Sequence, residues 1–62
     1  MYSLAGINGN IYIMIAYTCL AMRECKFDEK VIENYLMECL TSTYPRLVVL
    51  SNEFLNKCNE LI

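Results

Sequence analysis

Two asparagines flank a glycine at Asn8-Gly9-Asn10, and no other part of this 62-residue chain suggests chemistry so directly. At a helix start, their side-chain amides and the outward-pointing backbone N–H groups would converge, an arrangement suited to an anion or a nucleobase. The same residues also make a plain turn and helix cap, because Asn-Gly is a frequent turn pair. Tyr44 and Arg46 form a second candidate. Arg46 is the only cation between Lys30 and Lys57, and a guanidinium beside a helix N-terminus suits a phosphate. The competing reading is an exposed arginine that is solvated or paired with a glutamate. Tyr12 follows the tripeptide and brings a ring of a kind favoured at interfaces. Asn8, Gly9, Asn10, Tyr12, Tyr44 and Arg46 are therefore the candidate ligand-binding residues.

Other chemistry finds little support. The cysteines (Cys19, Cys25, Cys39, Cys58) form no CxxC, and no histidine is present to complete a zinc site. Reduced, mostly buried cysteines in a cytoplasmic protein are the expectation. The missing histidine removes the commonest general base. No acid–base, nucleophile or metal constellation stands out, so neither an enzyme nor a cofactor is expected. Net charge is −2, from five Lys/Arg and seven Asp/Glu, and there is no basic stripe. That argues against long nucleic acids as partners. A small phosphorylated ligand needs only one or two cations and some backbone amides.

The elements that would carry these residues are unusual in where they place charge. The first 22 residues have none, and Ile11–Met22 is apolar except for Thr18. A membrane-spanning helix needs about 20 apolar residues. Extending this run backwards meets Asn10, Gly9, Asn8 and Gly6, which are costly in hydrocarbon. No basic segment precedes the run as in a secretory signal. A helix buried by protein is the better reading, and no membrane contact is expected. A chain this short buries little and usually needs a staple. With disulfides and metals set aside, the staple is a homo-oligomer.

Three helices are expected after an apolar, extended leader. The first starts near residue 10, capped by Asn8 or Asn10, and runs to Cys25. The second is capped by Asp28, with Phe27 packing on Ile32 as a hydrophobic staple. Its apolar stripe is Val31, Ile32, Tyr35, Leu36, Cys39 and Leu40. The third runs from Tyr44 to Glu60, with Pro45 tolerated in its first turn. Its stripe is Leu47, Leu50, Phe54, Cys58 and Leu61, with Asn52, Glu53, Asn56, Lys57 and Asn59 facing water. The expected fold class is all-α: residues 1–62 as a single small helical domain, a compact three-helix unit assembling into a homo-oligomeric helical bundle.

From Gly9 to Ser51 the chain resembles a group of very small helical proteins encoded by bacteriophages and other mobile elements of bacteria. Their pattern reads G-N-x-(F/Y), an apolar run, then A-(M/L)-(R/K), an acidic helix, a Ser/Thr-rich turn with Tyr, and a Leu-rich last helix. The matching residues here are Gly9, Asn10, Tyr12, Ala21, Met22 and Arg23, then Tyr35, Tyr44, Leu47 and Ser51. The resemblance covers about two-thirds of the chain, and only its G-N…A-M-R part has some specificity. This chain has Leu20 where the group often has a basic residue, Lys26 where a glycine ends the first helix, and Thr43 in place of an acidic cap. A ligand held by a cation at the first of these places would lose it here. The resemblance implies an accessory phage protein acting in the bacterial cytoplasm. Small oligomeric phage proteins commonly counter host defences, so the expected role is anti-defence. The expected partners are a second copy of the chain and a nucleotide immune signal such as a cyclic oligonucleotide, sequestered by the oligomer. The alternatives are a protein-binding inhibitor of a defence effector and a structural or regulatory phage module.

Overall fold

Each helix begins where its cap chemistry predicts. In the computed structural model, which describes residues 1–7 and 9–61, α1 spans Ile11–Glu24, α2 Glu29–Thr41 and α3 Tyr44–Glu60. Asn8 lies outside the described residues. The side-chain oxygen of Asn10 accepts from the amides of Tyr12 (2.8 Å) and Ile13 (3.4 Å), satisfying two of the orphan donors of α1. Asp28 does the same for Lys30 at the start of α2 (2.8 Å). Thr43 precedes α3 without a side-chain cap, and Pro45 occupies its first turn. No strand occurs among the described residues. No helix there is long and apolar enough to cross a membrane.

The end of α1 contains a residue whose type works against its backbone. Phe27 N–H donates to the Met22 carbonyl and Lys26 N–H to the Arg23 carbonyl, both at 3.0 Å. These are the paired bonds of a Schellman cap. The position between them is left-handed, and Lys26 adopts it at φ 64°. Glycine usually fills such a place because its missing side chain removes the steric cost.

The helices alternate in direction. The thiol of Cys58, near the end of α3, donates to the Ala21 carbonyl near the end of α1 (3.7 Å). At the opposite end, the position a Cβ would take on Gly9 lies 3.9 Å from the Tyr44 hydroxyl. Thus α1 and α3 run parallel, with α2 returning between their ends. Helix α1 is central and packs on both neighbours. Between α2 and α3 the rings of Tyr35, Phe54 and Phe27 bridge the gap, with edge-to-face centroid distances of 5.4 and 6.0 Å.

The main core joins Met14, Cys19 and Met22 of α1, Ile32, Tyr35 and Cys39 of α2, and Leu47 and Leu50 of α3. Phe27 packs against the cluster that contains Ile32, as the staple reading expects. A smaller cluster of Ala21, Leu55 and Cys58 closes the end where α1 and α3 finish. Three buried hydroxyls are satisfied internally. Thr18 donates to the Met14 carbonyl (2.9 Å), and the Tyr35 hydroxyl meets Ser51 Oγ at 2.7 Å.

Burial departs from the sequence-based stripes in three places. On α3 the buried set is Leu47, Leu50, Ser51, Leu55 and Cys58, while Leu61, the C-cap, is exposed. The helix is rotated so that its packed line passes through Ser51, drawn inward by the bond to Tyr35. On α2 the buried strip narrows to Ile32, Tyr35 and Cys39, and Leu40 is 81% exposed. On α1 one side only is covered. Tyr12 (78% exposed), Ala16 and Leu20 (58%) point outward at i, i+4 and i+8, with Ile13 beside them. Within one copy, then, the charge-free part of α1 is not enclosed.

The leader is held by specific contacts. The Asn59 side chain accepts from the Tyr2 amide (2.7 Å) and donates to the Tyr2 carbonyl (2.8 Å), so Asn59 is part-buried and does not simply face water. The Tyr17 hydroxyl accepts from the Ser3 amide (3.0 Å). A turn from Leu4 to Ile7 (3.2 Å) follows, with Gly6 at φ 85° in the position that favours glycine.

Candidate functional site

Three of the candidate residues gather where α1 and α3 both begin. Gly9 enters this end of the molecule beside the Tyr44 hydroxyl. Asn10 is next in the chain, and its side-chain oxygen is committed to the cap of α1. Two parallel helix starts put the positive ends of two helix dipoles on one side of the molecule, a setting that favours negative charge. At α3 the cap residue, Thr43, makes no side-chain cap hydrogen bond. Tyr44 is about half exposed.

Arg46 and Tyr12 border this cluster differently. The Arg46 guanidinium is turned towards α2, with Nη2 3.8 Å from the Glu38 carboxylate. Both side chains are about half exposed and the separation exceeds hydrogen-bond length, so the pair is loose and weak. Tyr12 belongs to the outward face of α1, one helical turn or less from the Asn10 cap. It leads directly from the candidate site onto the uncovered apolar stripe. The arrangement offers backbone dipoles, a hydroxyl, an exposed aromatic ring and one guanidinium. Such groups can bind an anion with an attached ring system.

Among the described residues no group of His, Cys, Asp and Glu is placed to hold a metal ion. All four cysteines are free thiols. Burial pushes the Cys58 thiol up to about 12, reinforced by the neighbouring Cys25 thiol. Burial also raises Cys19 and Cys39. The Tyr35 phenol is pushed up to about 12 by burial, against an opposing hydrogen bond from Ser51. All of these are core groups held in their neutral forms at neutral pH.

An open groove between α2 and α3 is not foreshadowed by any sequence motif. It measures about 260 Å³ and is lined by Val31, Asn34, Tyr35, Glu38, Leu50 and Phe54. It arises because aromatic rings hold these two helices apart. The one available signal was the large-ring pair Tyr35 and Phe54 on facing stripes.

Comparison with models of protein families, with curated proteins and with solved structures found no match to this chain. The local chemistry of the site and the exposed face therefore carry the functional reading.

Proposed function

We propose that this chain is a non-catalytic, phage-type accessory protein that assembles as a homo-oligomer and sequesters a small nucleotide immune signal of the cyclic oligonucleotide class. The observation that carries this reading is the meeting of Gly9 with the Tyr44 hydroxyl, which brings the starts of α1 and α3 side by side. Phosphate suits the uncapped start of α3 and the half-exposed Arg46, and a nucleobase suits the exposed ring of Tyr12. The uncovered face of α1 begins at this same end. A second copy seated on Tyr12, Ile13, Ala16 and Leu20 would wall the site, enclosing a ligand that one 62-residue unit is too small to surround.

Native mass spectrometry of freshly purified protein, followed by calorimetry with cyclic di- and trinucleotides in phosphate-free buffer at pH 7, tests this function. The expected result is a defined oligomer that releases or binds a nucleotide. Arg46→Ala should bind at least about tenfold more weakly, the scale of one lost charge-assisted hydrogen bond, with the subunit count unchanged. A monomer that gives no heat with any of these ligands would sink the proposal.

A protein-binding inhibitor is the second reading, and the α2–α3 groove is the observation in its favour. An apolar floor of Tyr35, Leu50 and Phe54 with Asn34 and Glu38 at its edge suits a protruding side chain of a host protein. A stoichiometric protein retained from host lysate, lost on widening the groove with Phe54→Ala, would favour it over the nucleotide reading.

A further inference from the structure

At the end of the molecule remote from the proposed site, two cysteines are in contact. Cys25 is the C-cap of α1 and part-exposed, whereas Cys58 is fully buried two residues before the end of α3. The Cys25 thiol donates to the Cys58 carbonyl at 3.9 Å, and the Cys58 thiol donates to the Ala21 carbonyl, four residues before Cys25, at 3.7 Å. Each thiol thus reaches across to the backbone at or near the other cysteine, which brings the two side chains into one small space. Their sequence separation is 33 residues, so this contact joins distant parts of the chain. Cys25 lies past the last helical residue of α1, where the backbone can adjust to disulfide geometry more easily than inside a helix.

We propose that Cys25 and Cys58 are a thiol–disulfide switch, closed by a low-molecular-weight disulfide such as oxidised glutathione, which ties the end of α1 to the end of α3. The Cys25 thiolate attacks one sulfur of the small disulfide, forming a mixed disulfide and releasing one small thiolate. Cys58 then gives its proton to solvent and attacks the Cys25 sulfur, displacing the second small thiolate. Two protein thiols are oxidised by two electrons, and the small disulfide leaves as two thiols after taking up two protons. Cys25 is the entry point because it is the exposed partner. The second step is the slow one and accelerates with rising pH, because Cys58 must first ionise in an apolar setting. Cys19 of α1 and Cys39 of α2, both buried in the main core, offer no exposed partner and stay reduced while the protein is folded.

The test is incubation of the full-length reduced protein with excess oxidised glutathione at pH 8. Acid quenching, alkylation under denaturing conditions, intact mass and peptide mapping follow. The expected product is a Cys25–Cys58 link with Cys19 and Cys39 alkylated. Its melting temperature should exceed that of the reduced form by on the order of 10 °C and return on adding reductant. Cys25→Ser, at a part-exposed position, should fold and form no link. Cys58→Ala should stop at the glutathione adduct on Cys25. A wild-type protein that also stops at that adduct, that links Cys25 between copies, or that bonds through Cys19 or Cys39 would overturn the proposal. Nucleotide binding is read separately at the other end of the molecule, so neither result decides the other.

Discussion

Helices α1 and α3 run side by side, yet their two ends are built on opposite terms. Where they finish, Ala21, Leu55 and Cys58 are buried together, the cysteine thiols bond to carbonyls across the gap, and Asn59 clamps the backbone of Tyr2 over the outside. Where they begin, the contact is a glycine against a tyrosine hydroxyl, with a loose ion pair nearby and an uncovered apolar face leading away. Burial and satisfied hydrogen bonds stabilise a fold, whereas exposed rings and dipoles do little for it until something binds. The contrast assigns structural work to one end and leaves the other available for recognition.

Substitutions can break this contrast, and the largest effect belongs at the closed end. Leu55→Ala removes a fully buried side chain and should cost about 3 kcal/mol of unfolding free energy. Tyr44→Phe at the open end should stay within about 0.5 kcal/mol, as for an ordinary surface change. Urea titration measures both, and comparable losses would show that the open end is also structural. Next in size is Asn59→Ala, which removes two hydrogen bonds to Tyr2 and should cost about 2 kcal/mol. Amide exchange at Tyr2 should quicken while α2 keeps its protection; an unchanged rate would mean the clamp does not hold the leader. The smallest of the changes expected at the closed end has the opposite sign. Lys26→Gly should stabilise by about 0.5–1 kcal/mol, since glycine relieves the left-handed strain at some entropic cost. A lower melting temperature for that variant would mean the lysine side chain contributes a contact that outweighs the strain.

Local chemistry made the helices legible in the sequence. Asn10, Asp28 and Pro45 mark their starts because caps and first turns depend on a few neighbouring residues. What the chain hid depends on contacts between distant residues. Ser51 reads as a polar helix position until Tyr35 is seen 2.7 Å away, and that bond sets the rotation of α3. Leu55 and Leu61 are equally apolar, and only the leader and the close of α1 decide which of them is covered. Asn59 looks like a solvated side chain because its partner lies 57 residues earlier. At the candidate site, the tripeptide and the Tyr44–Arg46 pair were visible as separate features. The approach of Gly9 to Tyr44 follows from the parallel course of α1 and α3, which no local pattern encodes. On α1 the apolar residues run all round, and one copy covers a single side.

The clamp on Tyr2 has a bearing on the order in which the molecule assembles. Joining residues 57 apart closes nearly the whole chain into a loop, so the entropic cost of that contact is large when little else is in place. The three helices, linked by short turns, can collapse first, and the leader then docks onto a surface already made. Its bonds belong to the descent after the rate-limiting barrier. Loosening them should leave refolding rates unchanged and hasten unfolding, so Asn59 governs how long the native molecule lasts more than how fast it forms.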